Sequence, residues 1–182
     1  MPTYAQSLEL GSPMPSFELL SVCKEPVNSR NLMGSPVVIV FTCGHCPYVQ
    51  AIEERMLALS RAFIPKGIQW IGIASNDPSL HPEEDSPEAL CRRTKEKDYP
   101  FPILFDETQS VAKSFGAVCT PEFFVYDANH RLYYHGRLDD NWKDPLRVSR
   151  EELKEALEAL LAGKPAPLPQ YPAMGCSIKW KS

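Results

Sequence analysis

Cys43 and Cys46 are separated only by Gly44 and His45, in the run Thr42-Cys43-Gly44-His45-Cys46-Pro47. Two thiols this close can pass a disulfide to and from a partner, or share a metal ion. Only the thiolate attacks a disulfide, so a redox cysteine needs a neighbour that stabilises negative charge. A helix N-terminus does this through its unpartnered N–H groups. At such a terminus the first sulfur sits at the exposed tip, and the second lies about one turn in, placed to resolve a mixed disulfide. His45 between them adds a positive charge when protonated. Two other readings compete: a chance pair of buried cysteines, and half of a zinc site. A zinc site needs a second ligand pair, and His45, His81, His130 and His135 show no such spacing, although Cys119 and Cys176 are further thiolates.

The residues around the pair predict the helix terminus that this chemistry requires. Pro36 leads into Val37-Val38-Ile39-Val40-Phe41, a β-branched run suited to a buried central strand. After the motif, Val49, Ile52, Met56, Leu59 and Phe63 recur at spacings of three and four and give a helix one apolar face. Pro47 suits its first turn, where a missing N–H costs nothing. A second strand is expected over Ile68–Ala74 and an exposed loop over 75–87, with Pro78, Pro82 and Pro87. A weakly amphipathic helix starts at Ser86-Pro87-Glu88 and runs to about Lys97, and Ile103–Phe105 reads as a short strand. Asp106 to Phe115 reads as a helix capped by Asp106 and stopped by Gly116. Phe123–Tyr126 and Leu132–His135 flank a polar turn and predict a hairpin. Ser149 and Glu152 predict a capping box for a last helix, with Leu153, Ala156, Leu157 and Leu160 inward and Gly163 as its end.

This order, β-α-β-α-β-α-β-β-α, implies an α/β sandwich with a parallel core and an antiparallel hairpin at one side. Residues 1–35 are expected to be a loosely regular extension packed on the domain, with a hairpin in it. Residues 36–163 form the domain, and 164–182 a proline-rich extended tail that cannot be helical.

With 182 residues the chain is one domain by length and can bury a core without disulfide staples. The net charge of -4 argues against nucleic acid as a partner, because phosphate binding calls for a basic surface. The N-terminus lacks the basic and apolar regions of a secretory signal, and no apolar run is long enough for a membrane span. The expected location is therefore cytoplasmic. In a reducing compartment the six cysteines suggest catalysis, metal binding or core thiols before structural disulfides.

Several stretches carry a family resemblance from about residue 15 onward. They are Val37 through Val49 with the cysteine motif, Phe105-Asp-Glu-Thr-Gln-Ser-Val-Ala-Lys-Ser-Phe-Gly, and Val118-Cys-Thr-Pro-Glu-Phe-Phe-Val-Tyr-Asp. Gly136-Arg-Leu-Asp-Asp-Asn-Trp-Lys-Asp-Pro and the closing Gly175-Cys-Ser-Ile-Lys-Trp are more specific. Together they resemble the thioredoxin-fold superfamily, and more narrowly its peroxiredoxin-like, AhpC/TSA-related members. The resemblance implies a thioredoxin-like α/β fold and thiol–disulfide exchange without a cofactor. It makes Cys43 the solvent-facing nucleophile, Cys46 the resolving thiol, and Gly44 and His45 the tuning dipeptide. Thr120-Pro121 would be the cis-proline loop, offering its backbone to an extended substrate as an added strand. Arg137 to Asp140 would border the same face. The expected partners are a disulfide-containing protein or small-thiol substrate and an upstream dithiol reductant, with neither nucleic acid nor membrane.

The sequence departs from the relatives in ways that bear on chemistry. Thr42 stands where thioredoxins have Trp. Their proton-accepting Asp is replaced by Val37, and the Glu of membrane-tethered reductases by Val49 and Gln50. Glu53 and Glu54 remain, as acceptors for the Cys46 proton or as solvated surface charges. Neither cysteine has the peroxiredoxin Pro-x-x-x-Thr/Ser-x-x-Cys pattern, so peroxidase activity ranks below disulfide exchange. The Gly-His dipeptide is that of protein disulfide isomerases; their potential lies about 90 mV above thioredoxin's, and a potential above thioredoxin's is expected here. Cys119 reads as a third redox thiol or a small buried apolar residue. Cys176 reads as an inert anchor or an extra resolving thiol, and Cys23 and Cys91 as packing or surface residues. Trp142 lines a groove or plugs a loop. A metal-binding module built on Cys43, Cys46 and either His45 or Cys176, and a redox-silent interaction domain, are the readings from other classes.

Overall fold

A computed structural model describes all residues from Met1 to Ser182. In chain order the elements are β1 (Thr3–Tyr4), β2 (Glu18–Leu20), β3 (Pro26–Asn28), β4 (Val37–Phe41), α1 (Pro47–Phe63) and β5 (Gln69–Ala74). Then come α2 (Pro82–Asp85), α3 (Pro87–Glu96), β6 (Ile103–Phe105), α4 (Ser110–Phe115), β7 (Cys119–Thr120) and β8 (Glu122–Tyr126). The chain closes with β9 (Leu132–Gly136), α5 (Glu152–Leu161) and β10 (Met174–Ser177).

The β-branched run becomes the middle strand of a five-stranded sheet ordered β6-β5-β4-β8-β9. β4 is parallel to β5, and β5 to β6, whereas β8 and β9 run antiparallel. This is the mixed sheet expected. Every residue of β4 is buried, because both faces of the sheet are covered. Alternation along the strand sorts the core into two layers. Val38 and Val40 pack with Ile52 and Met56 of α1 and Leu153 and Leu157 of α5. Val37, Ile39 and Phe41 pack on the opposite face with Val111, Ala112 and Phe115 of α4 and with Phe17. At about 25 cal/mol per Å² of apolar area, these layers dominate the stability of the fold.

Several local expectations are corrected. α4 begins at Ser110, not at Asp106, because Gln109 takes a left-handed conformation (φ 61°) that breaks the turn. Asp106 still caps it from outside, accepting from the N–H groups of Val111 and Ala112. The capping box at the last helix does not form: Ser149 bonds to Asp140, and Glu152 binds Arg137. The loop over 75–87 contains the one-turn helix α2. The N-terminal extension holds the β2–β3 hairpin, whose turn lies against α3. There Cys23 and Cys91 are joined by a disulfide, with Cα atoms 5.3 Å apart. That corrects their reading as packing or surface thiols, and the preference for core thiols over a structural disulfide. The hairpin turn brings Cys23 within bridging reach of α3, a long-range approach that spacing along the chain does not reveal.

Candidate active site

β4 ends at Phe41, and Thr42 prolongs its pairing through an N–H bond to the Ile73 carbonyl (2.9 Å). The chain then turns through the cysteines into α1. Cys46 takes the N-cap position (φ −72°, ψ 122°), with Pro47 opening the helix. The helix end therefore acts on Cys46 more directly than on Cys43.

Thr120 lies across the pair. Its hydroxyl is 3.3 Å from the Cys43 sulfur, and its carbonyl oxygen is 3.3 Å from the Cys46 sulfur. The Thr120–Pro121 peptide is cis. Behind this loop sits a buried carboxylate. Glu122 accepts from the N–H groups of Val118 and Cys119 at 2.9 and 3.1 Å, and its other oxygen meets His135 Nε2 at 2.7 Å.

The turn is held from the other side by Asp85 of α2. Asp85 Oδ1 accepts from the Gly44 and His45 N–H groups at 2.7 and 3.1 Å, while Oδ2 meets His45 Nδ1 at 2.6 Å and Asn76 Nδ2 at 3.0 Å. Gly44 permits this approach, since a Cβ there would collide with the Glu84 carbonyl. The His81 ring stacks on His45 with centroids 3.8 Å apart. None of these partners was legible in the sequence. They fall in a polar, proline-rich stretch with no periodicity to place them.

Burial changes the expected electrostatics. Cys43 is 3% exposed and Cys46 fully buried. The expectation that Cys43 faces solvent is thus corrected, because Thr120, α2 and the C-terminal strand close over it. The Cys46 thiol reaches the Thr120 carbonyl. The neighbouring Cys43 and Cys176 thiols and the Val49 N–H, against the cost of burial, bring the Cys46 pKa down to about 4. Cys43 is pushed up by its bond to Cys46, by burial and by the Asp85 charge. Of the two sulfurs, Cys46 is therefore the more readily ionised. His45 has its Nδ1 turned to Asp85, so it does not offer an unpaired positive charge to the sulfur.

Glu53 and Glu54 are not acceptors for the Cys46 proton. Glu53 is buried, with its oxygens held by Arg93 at 2.7 and 2.8 Å and by the Tyr99 hydroxyl at 2.7 Å. Glu54 is exposed and faces Lys97. Arg137 to Asp140 brace the neighbouring elements: Arg137 binds Glu152 of α5, and Asp139 binds Arg55 of α1. Arg55 also holds the Asn141 and Trp142 carbonyls, which brings the Trp142 ring to 4.2 Å from Tyr48 beside the motif. Cys119 is wholly buried, and burial together with Glu122 pushes its thiol far up. Cys176, half-buried, packs against Cys43, Cys46 and Val49. For a metal, one ligand atom each from Cys43, His45 and Asp85 lies within 4.8 Å of the others. Both Asp85 oxygens already accept two hydrogen bonds, so a cation would have to displace them.

Residues 10–135 match the model of the AhpC/TSA family. The chain belongs to this family. Within its wider fold, the chain is similar to an uncharacterized conserved protein from Geobacillus kaustophilus, with 39% identity, coverage of 100% of this chain and 97% of the other, and a TM-score of 0.94. It is also similar to a thiol:disulfide interchange protein of the thioredoxin family from Chlorobium tepidum TLS, at 19% identity over 85% and 99% of the two chains, with a TM-score of 0.65. That likeness bears out the thioredoxin-like fold. Among curated proteins, thiol-disulfide oxidoreductase ResA of Bacillus thuringiensis subsp. konkukian (strain 97-27) is 20% identical over 159 residues, 87% of this chain and 80% of that protein.

Proposed function

We propose that this AhpC/TSA-family protein is a thiol–disulfide oxidoreductase working through Cys43 and Cys46, with a disulfide-containing protein or small-thiol disulfide as substrate. The observation that carries the reading is a pair of free sulfurs at the start of α1, each 3.3 Å from Thr120, with the Cys46 thiol lowered by its neighbours. A thiolate already present at neutral pH is the species that exchange requires. The curated relative's name points the same way. Asp85 acts as a positioning residue: it fixes the Gly44 and His45 N–H groups, and its charge adds to the neighbouring Cys46 and burial in raising the Cys43 thiol.

A low-pKa sulfur is also a good leaving group and stabilises the reduced pair, which supports a potential above thioredoxin's value of about −270 mV. The test is glutathione-disulfide exchange followed with full-length protein, alongside a redox titration. The wild type should turn over, whereas Cys43→Ser and Cys46→Ser should fall to the uncatalysed rate. Equal rates in wild type and Cys43→Ser would remove the reading, and a potential at or below thioredoxin's would remove the argument from the dipeptide.

A further inference from the structure

The backbone edge expected to receive an extended substrate is filled from within the chain. β10 runs antiparallel to β7, with Cys176 opposite Thr120 and Ser177 opposite Cys119. The pairing continues through the Ile178 N–H to the Val118 carbonyl at 3.0 Å. Gly175 lets the strand lie flat, since a Cβ there would collide with the Thr120 carbonyl. The strand is clamped on its other edge by β1, where Gly175 faces Thr3. Downstream, the Lys179 N–H bonds to Asn76 Oδ1 (2.9 Å), and its carbonyl accepts from Gln109 Nε2 (2.8 Å). Tail and substrate strand cannot occupy Thr120 together. The tail thus places Cys176 against the cluster of Cys43, Cys46 and Val49.

We propose that Cys176 is a third redox thiol, the outlet of an intramolecular relay through which Cys43 and Cys46 exchange with small thiols and disulfides. This rests on the oxidoreductase reading above. In the oxidised protein, the Cys176 sulfur attacks Cys46 of the Cys43–Cys46 disulfide. The Cys46–Cys176 bond forms, the Cys43–Cys46 bond breaks, and Cys43 leaves with the electron pair and takes up the proton lost by Cys176. An external small thiolate then attacks the sulfur of Cys176, the least buried of the four free cysteines, and expels Cys46, the sulfur best able to leave as an anion. A second small thiol releases Cys176 as a thiol and departs as the small disulfide. Two external thiols are oxidised as the protein's disulfide is reduced to Cys43 and Cys46 thiols, and reversal reduces a small disulfide.

The geometry selects Cys176 over Cys119, which is wholly buried and faces the Glu122 carboxylate at 3.6 Å. In the resting protein, burial and the Cys46 thiolate push the Cys176 thiol up to about 11. The part due to Cys46 vanishes once Cys46 is in a disulfide, so Cys176 becomes easier to ionise at the step that needs it.

Two measurements on the full chain decide the relay. Cys43→Ser protein, oxidised with diamide and mapped as non-reduced peptides, should carry a Cys46–Cys176 link; Cys43→Ala repeats the measurement with a different substituent. Cys176→Ser should form the Cys43–Cys46 disulfide as the wild type does, yet exchange with glutathione about tenfold more slowly or worse. Absence of the Cys46–Cys176 link in both variants, or a wild-type rate in Cys176→Ser, overturns the relay. If that rate is retained while Cys43→Ser and Cys46→Ser are inactive, the relay alone falls. If the wild type itself does not exchange, the oxidoreductase reading falls, and the relay with it.

Discussion

At the residue scale, the two sulfurs of the motif behave as a unit rather than as a nucleophile and its helper. Position decides this: Cys46 caps the helix and collects donors, whereas Cys43 lies beside a carboxylate. A thiol whose pKa is lower folded than unfolded adds stability that is complete above its unfolded pKa and is lost as pH falls through the folded one. For Cys46 that window runs from about 9 down to about 4. The urea midpoint of the reduced protein should therefore rise across this interval relative to Cys46→Ser, while the oxidised protein lacks this contribution. A flat difference would contradict the assignment of charge to Cys46. Asp85→Asn replaces an acceptor of four hydrogen bonds with a group that can accept only on one side. It should cost about 1–3 kcal/mol in urea unfolding. Because the Asp85 charge raises Cys43, its removal should also move the alkylation profile of Cys43 to lower pH, which a purely structural role would leave in place.

At the element scale, the pair lies between two short pieces, α2 and β10, packed over it from opposite sides. The strand–turn–helix that carries the cysteines was legible in the sequence, because a β-branched run and a three-and-four periodicity are local signals. The pieces covering them were not. α2 is a single turn without periodicity, and β10 owes its strand form to its partners at Thr3–Tyr4 and Cys119–Thr120. The early start expected for α4 failed for a related reason: one left-handed residue, Gln109, outweighed the capping pattern. Gly175→Ala tests the covering role of β10. The added methyl meets backbone atoms of Thr120 and Pro121, which cannot turn aside as a side chain would. It should cost about 1–3 kcal/mol as overpacking and speed alkylation of Cys43 and Cys46. An unchanged alkylation rate would mean that the strand does not limit access.

At the scale of the whole molecule, two sulfur systems lie at different places in one fold. The Cys23–Cys91 bridge ties the β2–β3 turn to α3, and its residues share no cluster with the motif. Closing a loop over a sequence separation of 68 should stabilise the fold by about 2–4 kcal/mol. Cys91→Ser should lower the denaturation midpoint and leave the potential of the Cys43–Cys46 pair unchanged; a shifted potential would put the bridge inside the redox circuit. The sequence could not reveal this bridge, since six cysteines allow many pairings and only the folded turn selects one. Glu122 adds a constraint on motion. With both carboxylate oxygens engaged in the buried interior, it moors Val118 and Cys119 in place. Any opening that admits a reagent to the sulfurs must then come from β10 and α2 on either side. Deuterium should enter the amides of 174–178 and 82–86 well before those of 118–123.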